Sequence, residues 1–377
     1  MPALSYTLLI DNQPADPDLL AAIQQIEVED HAQMADMLRL SLAIGVNDSC
    51  SQWNVVDEDI FQYLTEIRLL VTVGNRTEPL IAARVIETNA NFSNQPGQSV
   101  YHVVAMDPTV LLNLQQKVKP WPNLSDSTIA TAIFTDPDYR EYNFIPIVEA
   151  TRWQRQETDQ LVIQRGTDMQ FLRQLAERNG YECYMELNPL TQQVEAHFHP
   201  PRLNQPPQGV LSVNLGEATN VNRFNPRYEM LRPTTADASG LDADTQQEQP
   251  AETDRSQLTE LGRETTLHRE RPRRTLLSRT GQSRTGELQT LVQAVVDRSA
   301  WAITAEGELN TVAYGGILRA KRPVEVRGAG RQFSGVYYVE QVTHTFTGDG
   351  YTQQFSLSRN ASGLTGRERF VAIPTGL

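Results

Sequence analysis

The chain is poor in cysteine, lacks any long apolar run and carries less positive than negative charge. Only Cys50 and Cys183 occur in 377 residues. A disulfide framework is therefore excluded as the basis of the fold, and a reducing compartment is the simpler reading. No apolar stretch approaches the roughly 18 residues that a membrane span needs. The N-terminus, MPALSYTLLIDNQPADPD, has no basic region leading into an apolar core. No secretory signal is expected, and synthesis in the cytoplasm is. Lysine and arginine number 33 against 46 acidic residues, a formal net charge of −13. That balance argues against a surface that grips nucleic acid or anionic lipid as a whole. Signatures of chemistry are missing too. No GxSxG, no HExxH and no Cys/His signature is found.

What is there is a strand-rich opening. The segments Ser5–Ile10, Ile23–Asp30, Met37–Ile44, Glu66–Val73, Leu80–Phe92 and Ser99–Met106 are short, apolar and separated by polar turns, the pattern of a barrel or sandwich. In MLRLSLAI, Leu38, Leu40 and Leu42 alternate with Arg39 and Ser41, so one face is buried and the other wet. From Asp107 the pattern turns helical. Val110, Leu111, Leu114 and Val118 predict one helix; Ser125 or Asp126 predicts the cap of a second, containing Ile129, Ala132 and Ile133. The clearest helix is GTDMQFLRQLAERNG, capped by Thr167 or Asp168 and stopped by Gly180, with a hairpin over 181–199 behind it. Residues 233–260 are acidic and polar, and 263–284 are basic, which predicts an extended, partly disordered insertion. A helix follows over about 286–302. Three strands over 323–359, joined by the glycine turns GAGRQFSG and TGDGY, close the chain, and a loose tail is expected after Gly363.

Four constellations carry possible chemistry. His197 and His199 share one face of a strand with Glu195, a possible metal pair, yet a closed site needs about four ligands. GAGRQFSG lacks the spacing, lysine and following helix of a phosphate loop, so hairpin turns are its reading. Glu27, Glu29, Asp30 and His31 look like an acid/base cluster, with a solvated strand face as the plainer alternative. Arg269, Arg271, Arg273 and Arg274 could meet a phosphate or an acidic surface, or the acidic block before them. None of these is assigned as a catalytic, cofactor-binding or metal site, and no cofactor is expected.

Three matches in order carry a family resemblance. QIEVEDHAQMADMLRLSL, VIQRGTDMQFLRQLAERNGYECYMEL, and VEVRGAGRQFSGVYYVEQVTHTF with GYTQQFSLSR resemble phage late control protein D and the VgrG hub region. The resemblance implies a mainly β fold with inserted α+β segments, two tube-like antiparallel β-barrels per subunit with helical insertions. The divisions would be a first barrel at 1–106, an inserted α+β unit at 107–208, a second barrel from 209–232 plus 311–362, an insertion at 233–310 and a tail at 363–377. It implies a non-enzymatic baseplate hub of a contractile phage tail or tail-like injection system, assembled into that particle. The implied partners are two further copies in a homotrimer, an inner-tube ring above, a separate spike protein below, and baseplate adaptor or wedge proteins. No membrane span and no specific nucleic-acid binding belong to that reading. The alternatives are a baseplate enzyme that degrades cell wall through an unmarked carboxylate pair, or a carbohydrate-binding module.

Overall fold

The computed structural model describes residues 4–46, 52–154, 157, 161–241, 247–268, 271–277 and 285–371. Period-two alternation governs its first hundred residues. In Ile23–His31 the residues Ile26, Val28 and Asp30 turn inward, and in Met37–Ala43 Leu38, Leu40 and Leu42 do. Ile67, Leu69 and Val71 of Glu66–Val73 join them, with Tyr101, Val103 and Ala105 of Val100–Met106. Each strand therefore gives one face to a shared core and one to water.

These strands are not a closed barrel. They belong to a 13-stranded sheet that runs from Val221–Tyr228 at one edge to Gln13–Pro14 at the other. No pairing among the described residues joins the two ends, so the sheet is open. This corrects the expectation of two tube-like barrels: the fold is mostly β, but its sheets do not close on themselves. The physical reason lies in Gly335–Thr347. Its N-terminal part pairs with Pro323–Arg327, and its C-terminal part, from Gln341, pairs with Ile23–His31. One strand thus spends its hydrogen bonds welding two half-sheets edge to edge, which uses up edges that closure would need. The second half buries its own core, including Leu211, Ile303, Tyr337, Val339 and Leu357.

Between the halves in sequence, residues 107–208 build a separate core of Leu112, Ile129, Leu172 and Phe198 around helices Asp126–Phe134 and Asp168–Asn179. Thr167 accepts from the Gln170 amide at 3.2 Å and Gln170 answers to the Thr167 amide, a reciprocal cap. The first expected helix is different. A short 3-10 helix, Pro108–Asn113, is followed by strand Gln116–Trp121, which pairs with Val162–Thr167. Leu114 and Val118 stand in solvent at 46% and 80% exposure, so of the expected stripe only Leu111 and, in part, Val110 reach the core.

Residues 234–277 hold a three-stranded sheet, Thr234–Leu241, Glu248–Thr253 and Arg273–Leu277. Ala236, Ala238 and Ala251 pack under Leu288, Val292 and Val296 of helix Thr285–Ser299. The acidic and basic blocks meet across this sheet, where Arg274 donates to Asp237 at 2.6 Å. Residues 242–246, 269–270 and 278–284 of the expected insertion lie outside the described residues, as do 372–377 of the expected tail.

A buried charge network fastens the two halves. Lys321 donates to Asp30 at 2.7 Å and to both oxygens of Asp36 at 2.9 Å. Arg319 donates to Asp30 at 3.0 Å and to the Pro79 carbonyl at 2.9 Å. Burial alone would raise the Asp30 carboxyl, but Lys321 and Arg319 overcome it and hold it below the usual range.

Candidate functional site

A cleft of about 410 Å3 opens where the inserted unit meets the long strand and helix Thr285–Ser299. Local structure explains its walls. Helix Asp168–Asn179 ends at Gly180, whose φ of +68 is the left-handed stop that glycine takes without strain. A Cβ there would lie 3.4 Å from that of Ala294, so the glycine also lets the two helices approach. The turn delivers Tyr181 and Glu182 into the cleft. Opposite them runs Gly335–Thr347, offering Tyr338 and Glu340. Trp301, just after the second helix, stacks obliquely on Tyr338 with centroids 5.6 Å apart.

The Tyr338 hydroxyl lies 2.8 Å from each oxygen of Glu182. Burial pushes the Glu182 carboxyl up to about 8; Tyr338's hydrogen bond and the Lys321 charge oppose the rise, and the Glu340 charge adds to it. Glu182 therefore holds its proton near neutral pH although it is only half-buried. Glu340 reaches the same cleft by a different device. The register of the long strand slips between Val339 and Gln341, so Glu340 is the extra residue of a β-bulge. Its carbonyl accepts from the Ala32 amide at 2.8 Å, while its side chain is half-buried and makes no hydrogen bond or ion pair among the described residues. Bulges re-aim side chains in this way. The rim is polar, with Gln33, Arg173, Glu177, Asp297 and Arg298. Cys183 lies behind it; burial pushes its thiol up to about 12, which removes it as a nucleophile.

The residues singled out in the sequence sit elsewhere. Glu27 and Glu29 both take Arg39, at 3.1 and 2.7 Å, on the wet face of the sheet. Asp30 is in the buried network, and the His31 ring accepts the Gln33 and Met34 amides. His197 and His199 share a hydrogen bond of 3.0 Å. Glu195 lies 3.2 Å from His197 Nε2 without hydrogen-bonding geometry, and burial holds His197 down at about 2 and His199 at about 4, so both rings are neutral. No cluster of three or more metal-ligating side chains forms among the described residues. Glycines 328 and 330, at φ of +83 and +76, form the turn before the long strand. Of the basic cluster, Arg269 lies outside the described residues, and Arg274 pairs with Asp237. Glu182, Tyr338, Glu340 and Trp301 were not singled out as site residues. The sequence places them only on an expected hairpin, helix end and closing strands, which says nothing of a contact between residues 156 apart.

Solved structures of several proteins share the fold. A tail protein from Neisseria meningitidis MC58 superposes with a TM-score of 0.65 at 10% identity, over 95% of this chain and 97% of that one. The 43 kDa tail protein of prophage MuSo2 from Shewanella oneidensis gives 0.65 at 14% identity, over 95% and 99%. The E. coli c3393 protein, a component of the type VI secretion system, gives 0.55 at 11% identity, over 98% and 78%. At such identities the likeness is one of fold alone. No curated protein matches the sequence. A family model described as the Alg8 N-terminal domain matches residues 4–348. That match overturns the membership implied by the resemblance to late control protein D and VgrG, and with it the hub role and the purely structural, non-enzymatic character that followed. The chain belongs to the Alg8 N-terminal domain family.

Proposed function

We propose that the cleft binds a saccharide. The observation that carries this reading is the meeting, at the base of the cleft, of the largely buried rings of Trp301 and Tyr338 with the carboxyl of Glu182. Sugar rings present apolar C–H faces to aromatic rings and hydroxyls to carboxylates, guanidinium groups and amides; this cleft supplies both on adjoining walls. Its volume of about 410 Å3 falls within the range of small-molecule sites.

Titration with a soluble N-acetylglucosamine tetramer, followed by calorimetry and by tryptophan fluorescence, tests the reading. Saturable binding that weakens at least tenfold in Trp301→Phe supports it. Absence of heat at millimolar tetramer, with the same result for tetramers of glucose and mannose, overturns it.

A further inference from the structure

Glu182 and Glu340 differ in a way that simple ligand binding does not require. Glu182 is hydrogen-bonded through both oxygens to one phenol, whereas Glu340, two residues along the strand from that phenol, has no partner among the described residues. A bulge places the second carboxyl at the same opening, at the point where the strand changes partner from Pro323–Arg327 to Ile23–His31.

We propose that Glu182 and Glu340 act as an acid–base pair that hydrolyses a glycosidic bond of the saccharide held in the cleft; this rests on the saccharide reading above. Glu340 takes a proton from water as the water oxygen bonds to the anomeric carbon. The bond from that carbon to the bridging oxygen breaks, and the bridging oxygen takes the proton of Glu182. One water is consumed, and a hemiacetal and an alcohol leave. The proton on Glu340 then returns to Glu182 through solvent. Burial keeps Glu182 protonated at neutral pH, as the acid role requires. The charged and titratable groups facing Glu182 are Tyr338, Glu340, Lys321 and Arg202.

Leaving-group dependence separates the two roles and distinguishes chemistry from structure. The full chain is assayed on the N-acetylglucosamine tetramer and on a 4-nitrophenyl glycoside of the same sugar, whose leaving group needs no protonation. Glu182→Gln is expected to lose at least a hundredfold in kcat on the tetramer and under tenfold on the nitrophenyl substrate. Glu340→Gln is expected to lose at least a hundredfold on both. The parent's pH profile should fall on the alkaline side near 8 on the tetramer and not on the nitrophenyl substrate. Both variants should still bind tetramer, which shows that they are folded. Binding without cleavage by the parent overturns the acid–base pair and leaves the saccharide reading standing. Cleavage that survives in the double variant overturns the pair as well, and absence of binding overturns the saccharide reading itself.

Discussion

Two carboxylate clusters lie along one seam of this molecule and are treated in opposite ways. At the junction of the half-sheets, Asp30 and Asp36 share Lys321, with Arg319 completing the set, and all are buried. In the cleft, Glu182 has a phenol and Glu340 has nothing comparable, and both are half-buried. The first arrangement answers each negative charge with a positive one. The second leaves carboxyl groups where a ligand can reach them. Burial of charge is costly in either case, so the difference marks which cluster holds the fold together and which is free to do something else.

The sharpest way to break that contrast is Lys321→Met. It leaves buried Asp36 without its cation and Asp30 with Arg319 alone, and a loss of about 3–5 kcal/mol is expected in urea unfolding at pH 7. A loss below 1 kcal/mol would mean that the junction is not what joins the halves. Next comes acid. His197 and His199 are held neutral by burial, at about 2 and about 4 against an ordinary 6.5, among Arg202, Lys321, Arg322, Glu186 and Glu195. As pH falls through 6.5 the unfolded chain takes up protons that the fold refuses. Stability should drop by about 1.4 kcal/mol per pH unit for each histidine, down to about pH 4 for His199. Buried His344, held at about 3, adds to the same slope, so His199→Gln should remove about 1.4 kcal/mol per pH unit from it between pH 6 and 4.5, and an unchanged slope would assign the loss to other groups.

Glu182→Gln should have the opposite sign to the junction variant. The folded carboxyl titrates near 8 and the unfolded one near 4.5, so the parent loses stability as pH rises between these values. At pH 8 the variant should be more stable by about 1–2 kcal/mol, allowing for solvent at a half-buried group, with the advantage gone below pH 4.5. A variant less stable than its parent at pH 8 would show that Glu182 is structural. The smallest effect belongs to Thr167→Ala, remote from both clusters. Loss of the cap should cost about 1 kcal/mol at every pH, and serves as the baseline for the others.

Period-two strands, the helix capped by Thr167 and the one capped by Ser125 were legible because their signals are local. The sheet's openness was not, since alternation reports which face is buried and not where the last strand ends up. Leu114 and Val118 misled because apolar residues at helical spacing also occur on exposed turns and strands. The polar stretch after residue 233 looked incapable of burying a core, yet alanines suffice when a helix such as Thr285–Ser299 brings the larger side chains. Nothing in the sequence marks the cleft. Glu182 and Tyr338 are ordinary strand residues until a bulge and a helix stop bring them together.

Because Gly335–Thr347 belongs to both half-sheets, neither half owns a complete set of neighbours. The two cores should melt in one calorimetric transition, and neither fragment, cut at residue 209, should fold when expressed alone. Mixed together, the fragments should recover the fold as the intact strand Gly335–Thr347 re-pairs with Ile23–His31, which makes residue 209 a natural place to split the molecule into a two-part reporter.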